Sequence, residues 1–262
     1  MQAALMRREF EEFGLTAPPV YEPMIERECE EYEAADAIQV ISTFARRSFI
    51  ERGVPESKLI LTPLAVDLDE VGGAPRPARV HGPLRVLFLG TISLQKGVHY
   101  LLQATGGFAA SDLTLSLYGG ATADGRELLR RYARGDEWKG KVARAGLREV
   151  LADHDVLVLA SVQDGFGAVI CEAMAAGLPV IASENTGGPD VIRDGIDGFV
   201  VPARSASAIR SRLELLVEDR ARCAEMGRAA LEAMGHHRTW DYFVDDMLKQ
   251  YDARLKSHAA RG

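Results

Sequence analysis

The sequence lacks several features that would identify common classes of protein. Its three cysteines, in 262 residues, are too few and too scattered for a disulfide framework or a Cys-x-x-Cys metal site. No apolar run approaches the roughly 20 residues that span a bilayer, and the first residues lack the apolar stretch of a secretory signal. Positive charge is not in excess either, because the net charge is -7. These absences favour a cytoplasmic location and argue against a nucleic-acid partner.

What the chain does contain is the composition of a globular protein. Apolar residues make up 47% and charged residues 26% of its 262 residues. A core of useful size is therefore available, for one large domain or two small ones.

Short apolar runs alternate with helical patterns along most of the chain. Leu84–Leu89 and Val156–Leu159 are continuously apolar, as strands are when both faces of a parallel sheet are covered. Further strands are expected at 37–41, 59–62, 113–117, 179–182 and 198–201, with helices between them. The pattern predicts an α/β fold: a doubly wound, Rossmann-like parallel sheet preceded by a smaller α/β piece.

A segment rich in glycine and proline divides the chain. We expect a short first part at 1–71, a linker at 72–83, the Rossmann-like domain at 84–236 and a C-terminal helix at 237–262.

One candidate ligand site follows the strand Leu84–Leu89, in the segment GTISLQKG at 90–97. Amide groups at the start of a helix attract anions, and Lys96 adds a full positive charge, so a phosphate group is the natural guest. The spacing is neither a Walker A sequence nor G-x-G-x-x-G. A plain strand-to-helix turn with a solvated lysine remains the alternative.

A second candidate follows the strand Val156–Leu159. Here Gly165 and Gly167 allow a ligand close to the backbone, and Asp164 precedes Glu172 by eight positions, up to roughly 12 Å along a helix. That separation suits one carboxylate on a ribose and another on a sugar, with a diphosphate between them. The alternative is that Asp164 only caps the helix and Glu172 is an ordinary exposed residue. A third glycine cluster, at 185–190, either borders the same pocket or forms a tight turn.

Taken in order, these segments resemble the group-one retaining glycosyltransferases of the GT-B fold. The matching stretches are GTISLQKG at 90–97, DGFGAVICEAMAAGLPVIAS at 164–183 and TGGPDVIRDGIDGFVVP at 186–202. Residues 32–68 are similar to the last part of such an enzyme's first domain, and TWDYF at 239–243 is similar to its returning C-terminal helix.

The resemblance implies transfer of a hexosyl group from a nucleotide-diphosphate-sugar donor, with retention, to a saccharide or other acceptor. It places Lys96 on the phosphates, Glu172 on the ribose and Asp164 at the sugar end as the catalytic residue. It implies no metal and no cofactor, since the nucleotide sugar is a substrate. The remaining donor-binding residues are expected to be Gly90, Thr91, Gly165, Phe166, Gly167 and Ala168.

Several features depart from the family pattern. Asp164 is one methylene shorter than the usual glutamate, Thr91 replaces a frequent arginine, and the base-contacting segment at 139–151 is short. The first part is also much shorter than in relatives, and no histidine lies in a matching context. We therefore expect the six histidines to be solvated or structural: His81, His99, His154, His236, His237 and His258.

The short first part leaves two functions open. The chain either transfers sugar itself, or binds a nucleotide sugar and needs a partner chain for catalysis. A remoter third is a non-transferase Rossmann protein, such as a sugar-nucleotide epimerase or an NAD enzyme, although the missing G-x-G-x-x-G argues against NAD. A strand edge left open by the missing half favours a homo-oligomer or such a complex. Basic residues in the final helix leave peripheral contact with an acidic membrane as a further alternative to ordinary solvation.

Overall fold

Two parallel sheets organise the part of the chain that the computed structural model describes, namely residues 2–19, 21–72, 77, 79–237 and 239–259. The smaller sheet pairs β1 (Ile38–Val40) with β2 (Leu59–Leu61). The strands of the larger sheet are β3 (Leu84–Leu89), β4 (Leu113–Tyr118), β5 (Trp138–Gly140), β6 (Val156–Leu159), β7 (Val180–Ser183) and β8 (Gly198–Val201).

The larger sheet has the order β5-β4-β3-β6-β7-β8, and its strands run parallel. The chain starts this sheet at β3, winds outward to β5, and returns to β6 on the other side of β3. This is the doubly wound order of a Rossmann-like domain, so the predicted fold is confirmed. The order reverses between β3 and β6, and β8 forms one edge as expected.

Helices cover the larger sheet and flank the smaller one. They are α1 (Gln2–Glu12), α2 (Glu22–Ala34), α3 (Thr43–Ile50), α4 (Leu68–Val71), α5 (Val98–Thr105), α6 (Ala123–Tyr132), α7 (Leu147–Ala152), α8 (Val169–Ala175), α9 (Gly188–Val191), α10 (Ala206–Glu218), α11 (Arg220–His237) and α12 (Trp240–Ala259). Ser42 caps α3 as its residue type predicts, because its hydroxyl accepts a hydrogen bond from the Ala45 amide. Single 3₁₀ turns occur at Glu56–Lys58 and Arg144–Gly146.

The core explains why the longer strands were predictable. Leu84, Val86, Leu87 and Phe88 of β3 have no exposed surface, so helices cover both faces of that strand. Full burial of one such side chain is worth about 1.5–3 kcal/mol, which selects continuous apolar runs at these positions.

Four elements were not predicted: α1, α4, α7 and β5. β5 has the sequence Trp-Lys-Gly with two exposed residues, and it pairs with β4 only across a register shift. A three-residue strand of this kind lacks both alternation and an apolar run. Of the predicted linker, residues 73–76 and 78 lie outside the described part of the chain.

The first part of the chain is attached to the larger domain by α1. Phe10 packs with Leu94 and Leu128. Glu9 has no exposed surface and accepts hydrogen bonds from the Tyr100 hydroxyl (2.7 Å) and the Arg204 Nε (2.7 Å), with His99 Nε2 at 2.8 Å. His99 is therefore structural, one of the two expected fates of the histidines.

The last helix returns to the small sheet. Gln250 and Arg254 of α12 donate hydrogen bonds to the carbonyls of Leu61 and Leu59, and the Tyr251 hydroxyl donates to Gln39 of β1. Within the described ranges, no helix has the length and apolar character needed to cross a membrane.

Candidate active site

Lys96 and Asp164 meet above the point where the strand order reverses. Lys96 follows β3 and Asp164 follows β6, and the Lys96 Nζ donates to the Asp164 Oδ2 at 2.5 Å. Their side chains are 24% and 13% exposed. Carboxyl ends of strands on either side of such a reversal form the usual ligand crevice of an open parallel sheet. The sequence placed both residues at strand ends, and the structure brings them into contact.

Gly97 allows the two loops to approach this closely. Its φ is +64°, and a Cβ at this position would lie 1.9 Å from the Ala160 carbonyl oxygen at the end of β6. Any side chain would therefore push the lysine loop away from the aspartate loop.

Two backbone amides of the lysine loop donate hydrogen bonds to side chains and so fix the conformation of the loop. The Leu94 amide donates to Asp124 of α6 (2.8 Å), and the Lys96 amide donates to the Ser93 hydroxyl (3.3 Å). The Gly90 amide is already bonded to the Tyr118 carbonyl. The Gly90 amide is therefore not available to a ligand, whereas Thr91 is exposed at the surface of the loop.

The aspartate loop packs against the third glycine cluster, at 185–190. The Asp164 amide donates to the Asn185 carbonyl (2.9 Å), and the Gly187 amide donates to the Phe166 carbonyl (2.7 Å). The Phe166 side chain is 1% exposed, so the third glycine cluster lies directly against this loop. Gly167, with φ +80°, then leads through Ala168 into α8.

The first part of the chain also contacts this loop. The Ser42 hydroxyl donates to the Gly165 carbonyl at 2.5 Å, and the Thr43 amide donates to the Asp190 carboxylate. The junction of β1 and α3 therefore lies beside the aspartate loop.

Glu172 lies on α8, is 16% exposed and contacts neither Lys96 nor Asp164 directly. Instead, Arg144 donates to its Oε1 at 2.6 Å and also hydrogen-bonds Glu70 of α4. The hydrogen bond with Glu70, and to a smaller extent the one with Glu172, raise the pKa of the Arg144 guanidinium, which therefore stays charged. Nothing in the sequence points to Arg144 or Glu70, since they pair with partners 28 and 74 positions away.

The arrangement can bind a ligand that carries both an anionic group, for the lysine, and hydroxyl groups, for the carboxylates. It offers one lysine, a carboxylate beside it, a second carboxylate on the next helix, and glycine-lined backbone. No cluster of three His, Cys, Asp or Glu side chains that would suit a metal ion occurs among the residues that the structure describes.

Residues 83–219 match the family profile described as Glycosyl transferases group 1. The chain belongs to this family. Two curated group 1 relatives are similar to it: the α-maltose-1-phosphate synthase of Mycobacterium tuberculosis is 34% identical over 63% of this chain and 46% of its own length. That of Mycolicibacterium smegmatis is 32% identical over 77% of this chain and 52% of its own length.

Solved glycosyltransferase structures share the GT-B fold with this chain. Sucrose-phosphate synthase from Thermosynechococcus elongatus superposes with a TM-score of 0.73 and 25% identity, over 90% of this chain and 63% of the other. Anabaena HepE in complex with UDP and glucose superposes with a TM-score of 0.68 and 20% identity, over 85% of this chain and 63% of the HepE chain. The likeness to HepE is one of fold.

The group 1 match covers the Rossmann-like part rather than a whole two-domain enzyme. The chain spans about half the length of the two synthases that it matches. The family and the fold are thereby shown, and the activity of the whole protein is a matter for proposal.

Proposed function

We propose that this chain binds a nucleotide-diphosphate-sugar at the carboxyl edge of its larger sheet and transfers the hexosyl unit to a saccharide or other acceptor. The observation that carries the proposal is the contact between Lys96 and Asp164 at the strand-order reversal. It is supported by the family match and by the UDP and glucose bound to the structural neighbour HepE.

Lys96 is proposed to bind the diphosphate. Its ammonium group is one-quarter exposed and its present partner is a single carboxylate. A diphosphate carries more charge than Asp164 and would draw the lysine toward it, with the amides of Gly167 and Ala168 as further donors. Such fixed positive groups stabilise the departing diphosphate without a metal ion.

The two carboxylates are proposed to bind hydroxyl groups at opposite ends of the donor. Glu172 keeps its Oε2 free of the Arg144 hydrogen bond, so that oxygen is available to a ribose hydroxyl. Asp164, beside the diphosphate, is proposed to bind the sugar. The bond from the anomeric carbon to the diphosphate then breaks and the diphosphate oxygen keeps the electron pair. The acceptor hydroxyl attacks the anomeric carbon from the same face and passes its proton to that diphosphate oxygen.

A specific observation supports the alternative of a binding module that works with a partner chain. The apolar side chains of α12 at positions 240, 244, 248, 251 and 255 recur at three- and four-residue spacing and are 38–68% exposed. A second polypeptide or a second copy would cover this stripe. Contact with an acidic membrane is less favoured, because Arg254 already hydrogen-bonds the carbonyls of Ser57 and Leu59. A cytoplasmic location remains part of the proposal, and it suits Cys29, Cys171 and Cys223, which form no disulfide bond.

Calorimetry with UDP-glucose and GDP-mannose, followed by assays of donor hydrolysis and transfer, tests the proposal. Saturable binding of one donor with turnover supports the enzyme. Binding without turnover supports the binding module, and no binding of any nucleotide sugar contradicts both.

A further inference from the structure

A cavity of about 440 Å³ lies at the amino ends of strands in the larger sheet. Lys96 and Asp164 lie at the opposite, carboxyl ends. The cavity is bordered by the amino end of β6, the last residue of α7 and the first turns of α11. None of the predicted donor-site residues lines it. Its volume falls within the range of small-molecule sites, about 300–1,000 Å³.

The cavity is strongly basic. Four arginines line it, Arg79, Arg148, Arg220 and Arg228, against one carboxylate among its described lining residues, Asp155. Asp155 accepts hydrogen bonds from Arg79 (3.2 Å) and Arg220 (2.8 Å), so these two guanidinium groups already share one negative charge.

The other two arginines keep most of their charge available. Arg148 is exposed and has no ion pair among the described residues, and the nearest acid to Arg228 is Glu225, at 3.9 Å. The cavity therefore carries an excess of positive charge that its own residues do not neutralise.

Arg220 brings to the cavity lining a buried donor that no described residue pairs. Its side chain is nine-tenths buried, and its Nη atoms donate to Asp155 and to the carbonyls of Arg79 and Gly82. Its Nε is buried and makes no hydrogen bond to any residue that the structure describes. Buried donors of charged groups are costly to leave unpaired, so an acceptor at this position would be favourable.

We propose that this cavity binds a small phosphate monoester, of the size of a sugar phosphate. Guanidinium groups match phosphate oxygens in pairs of parallel hydrogen bonds, which makes several arginines around one cavity a suitable phosphate site. A volume of 440 Å³ equals that of roughly fifteen water molecules, more than a bare phosphate needs. Gly72 and Pro77 also line the cavity, so the bound ester would contact these two residues.

Calorimetric titration of the full chain with glucose 6-phosphate and with inorganic phosphate tests the proposal. We expect saturable binding, tighter for the sugar phosphate, that weakens at least tenfold in the double variant R148Q/R228Q. The variant R126Q/R130Q is the matched control, because it removes two arginines of α6 away from the cavity and should keep the affinity of the parent. Both changes lie at exposed positions, so folding should be unaffected.

A cavity-filling variant separates the site from general surface charge. Ala224→Phe keeps the four arginines but occupies the cavity, and it should abolish glucose 6-phosphate binding while the thermal melt shows a folded chain. The proposal is overturned by the absence of saturable binding, by equal weakening in R126Q/R130Q, or by unchanged affinity in Ala224→Phe. Binding lost in Lys96→Gln but kept in R148Q/R228Q would place the phosphate in the donor site and also overturn it.

Discussion

The Lys96 ammonium and the Asp164 carboxylate share a hydrogen bond although 68 positions separate them in the chain. The sheet produces this contact, because β3 and β6 lie side by side at the reversal of strand order. In the free protein, each group neutralises the other. A donor that brings a diphosphate to Lys96 and a sugar hydroxyl to Asp164 would replace both halves of that pair.

Asp164→Asn tests the role of the sugar-end carboxylate. The change removes the negative partner of Lys96, so the affinity for the nucleoside diphosphate should stay the same or rise. The additional affinity gained from the sugar should fall, and turnover should fall with it. Calorimetry with UDP and UDP-glucose, or the guanosine pair, measures both effects; a uniform loss for the two ligands would contradict the assignment.

Glu172→Gln tests the ribose contact. Loss of the charged acceptor should weaken donor binding at least tenfold, or about 1.4 kcal/mol, because hydrogen bonds to charged groups are worth about 1.5–3 kcal/mol. Glu70→Gln is the matched control: it removes the other carboxylate that Arg144 contacts but leaves Glu172 in place. Equal losses of donor affinity in the two variants would show that Glu172 positions Arg144 and does not bind the ribose.

Gly97→Ala tests how the two loops are held together. The new Cβ would lie 1.9 Å from the Ala160 carbonyl oxygen at a φ of +64°, so we expect a loss of more than about 3 kcal/mol in the free energy of unfolding. Gly53→Ala is the matched control, since Gly53 has a φ of +85° and nothing within 4 Å of its Cβ. There, the strain alone should cost about 1 kcal/mol. Urea unfolding gives both values, and similar costs would refute the close-approach argument.

Glu9 should give the fold a measurable dependence on acid. Burial alone would raise its pKa, but hydrogen bonds with His99 and Tyr100 and the charge of Arg204 outweigh burial and lower the pKa below 4.5. The folded state therefore favours ionised Glu9. Its stabilising contribution is complete above pH 4.5 and is lost as pH falls through the lowered value.

Glu9→Gln removes the negative charge that pairs with Arg204. Breaking a buried ion pair costs about 3 kcal/mol. The variant should be destabilised at pH 7 and should lose less stability than the parent when the pH is lowered below 4.5. Glu11→Gln, on the exposed face of α1, is the control and should follow the parent curve. Parallel curves for Glu9→Gln and the parent would contradict the argument.

The fold, and the position of Lys96 and Asp164 at the ends of strands, were predictable from the sequence for a common reason. β3 and β6 are apolar throughout because both faces are covered, and ligand groups gather at the ends of such strands. The sequence pattern alone therefore points to Lys96 and Asp164. The predicted domain boundaries and the roles of the site residues stay predictions.

What escaped prediction depends on contacts between distant segments. Glu9 is buried only because α1 packs on α5, and Arg204 lies 195 positions away from it. The link from Glu70 through Arg144 to Glu172 likewise joins three separate segments, each of which is an ordinary charged surface in sequence. Local patterns carry no record of such pairings.

The affinity of Lys96→Gln for nucleoside, nucleoside monophosphate, nucleoside diphosphate and nucleotide sugar tests the central claim most directly. If Lys96 binds the diphosphate, parent and variant bind the nucleoside with equal affinity. The variant then binds the nucleoside diphosphate and the nucleotide sugar at least tenfold more weakly than the parent. A loss of the same size for the nucleoside, or no loss for any of the four ligands, would contradict the account.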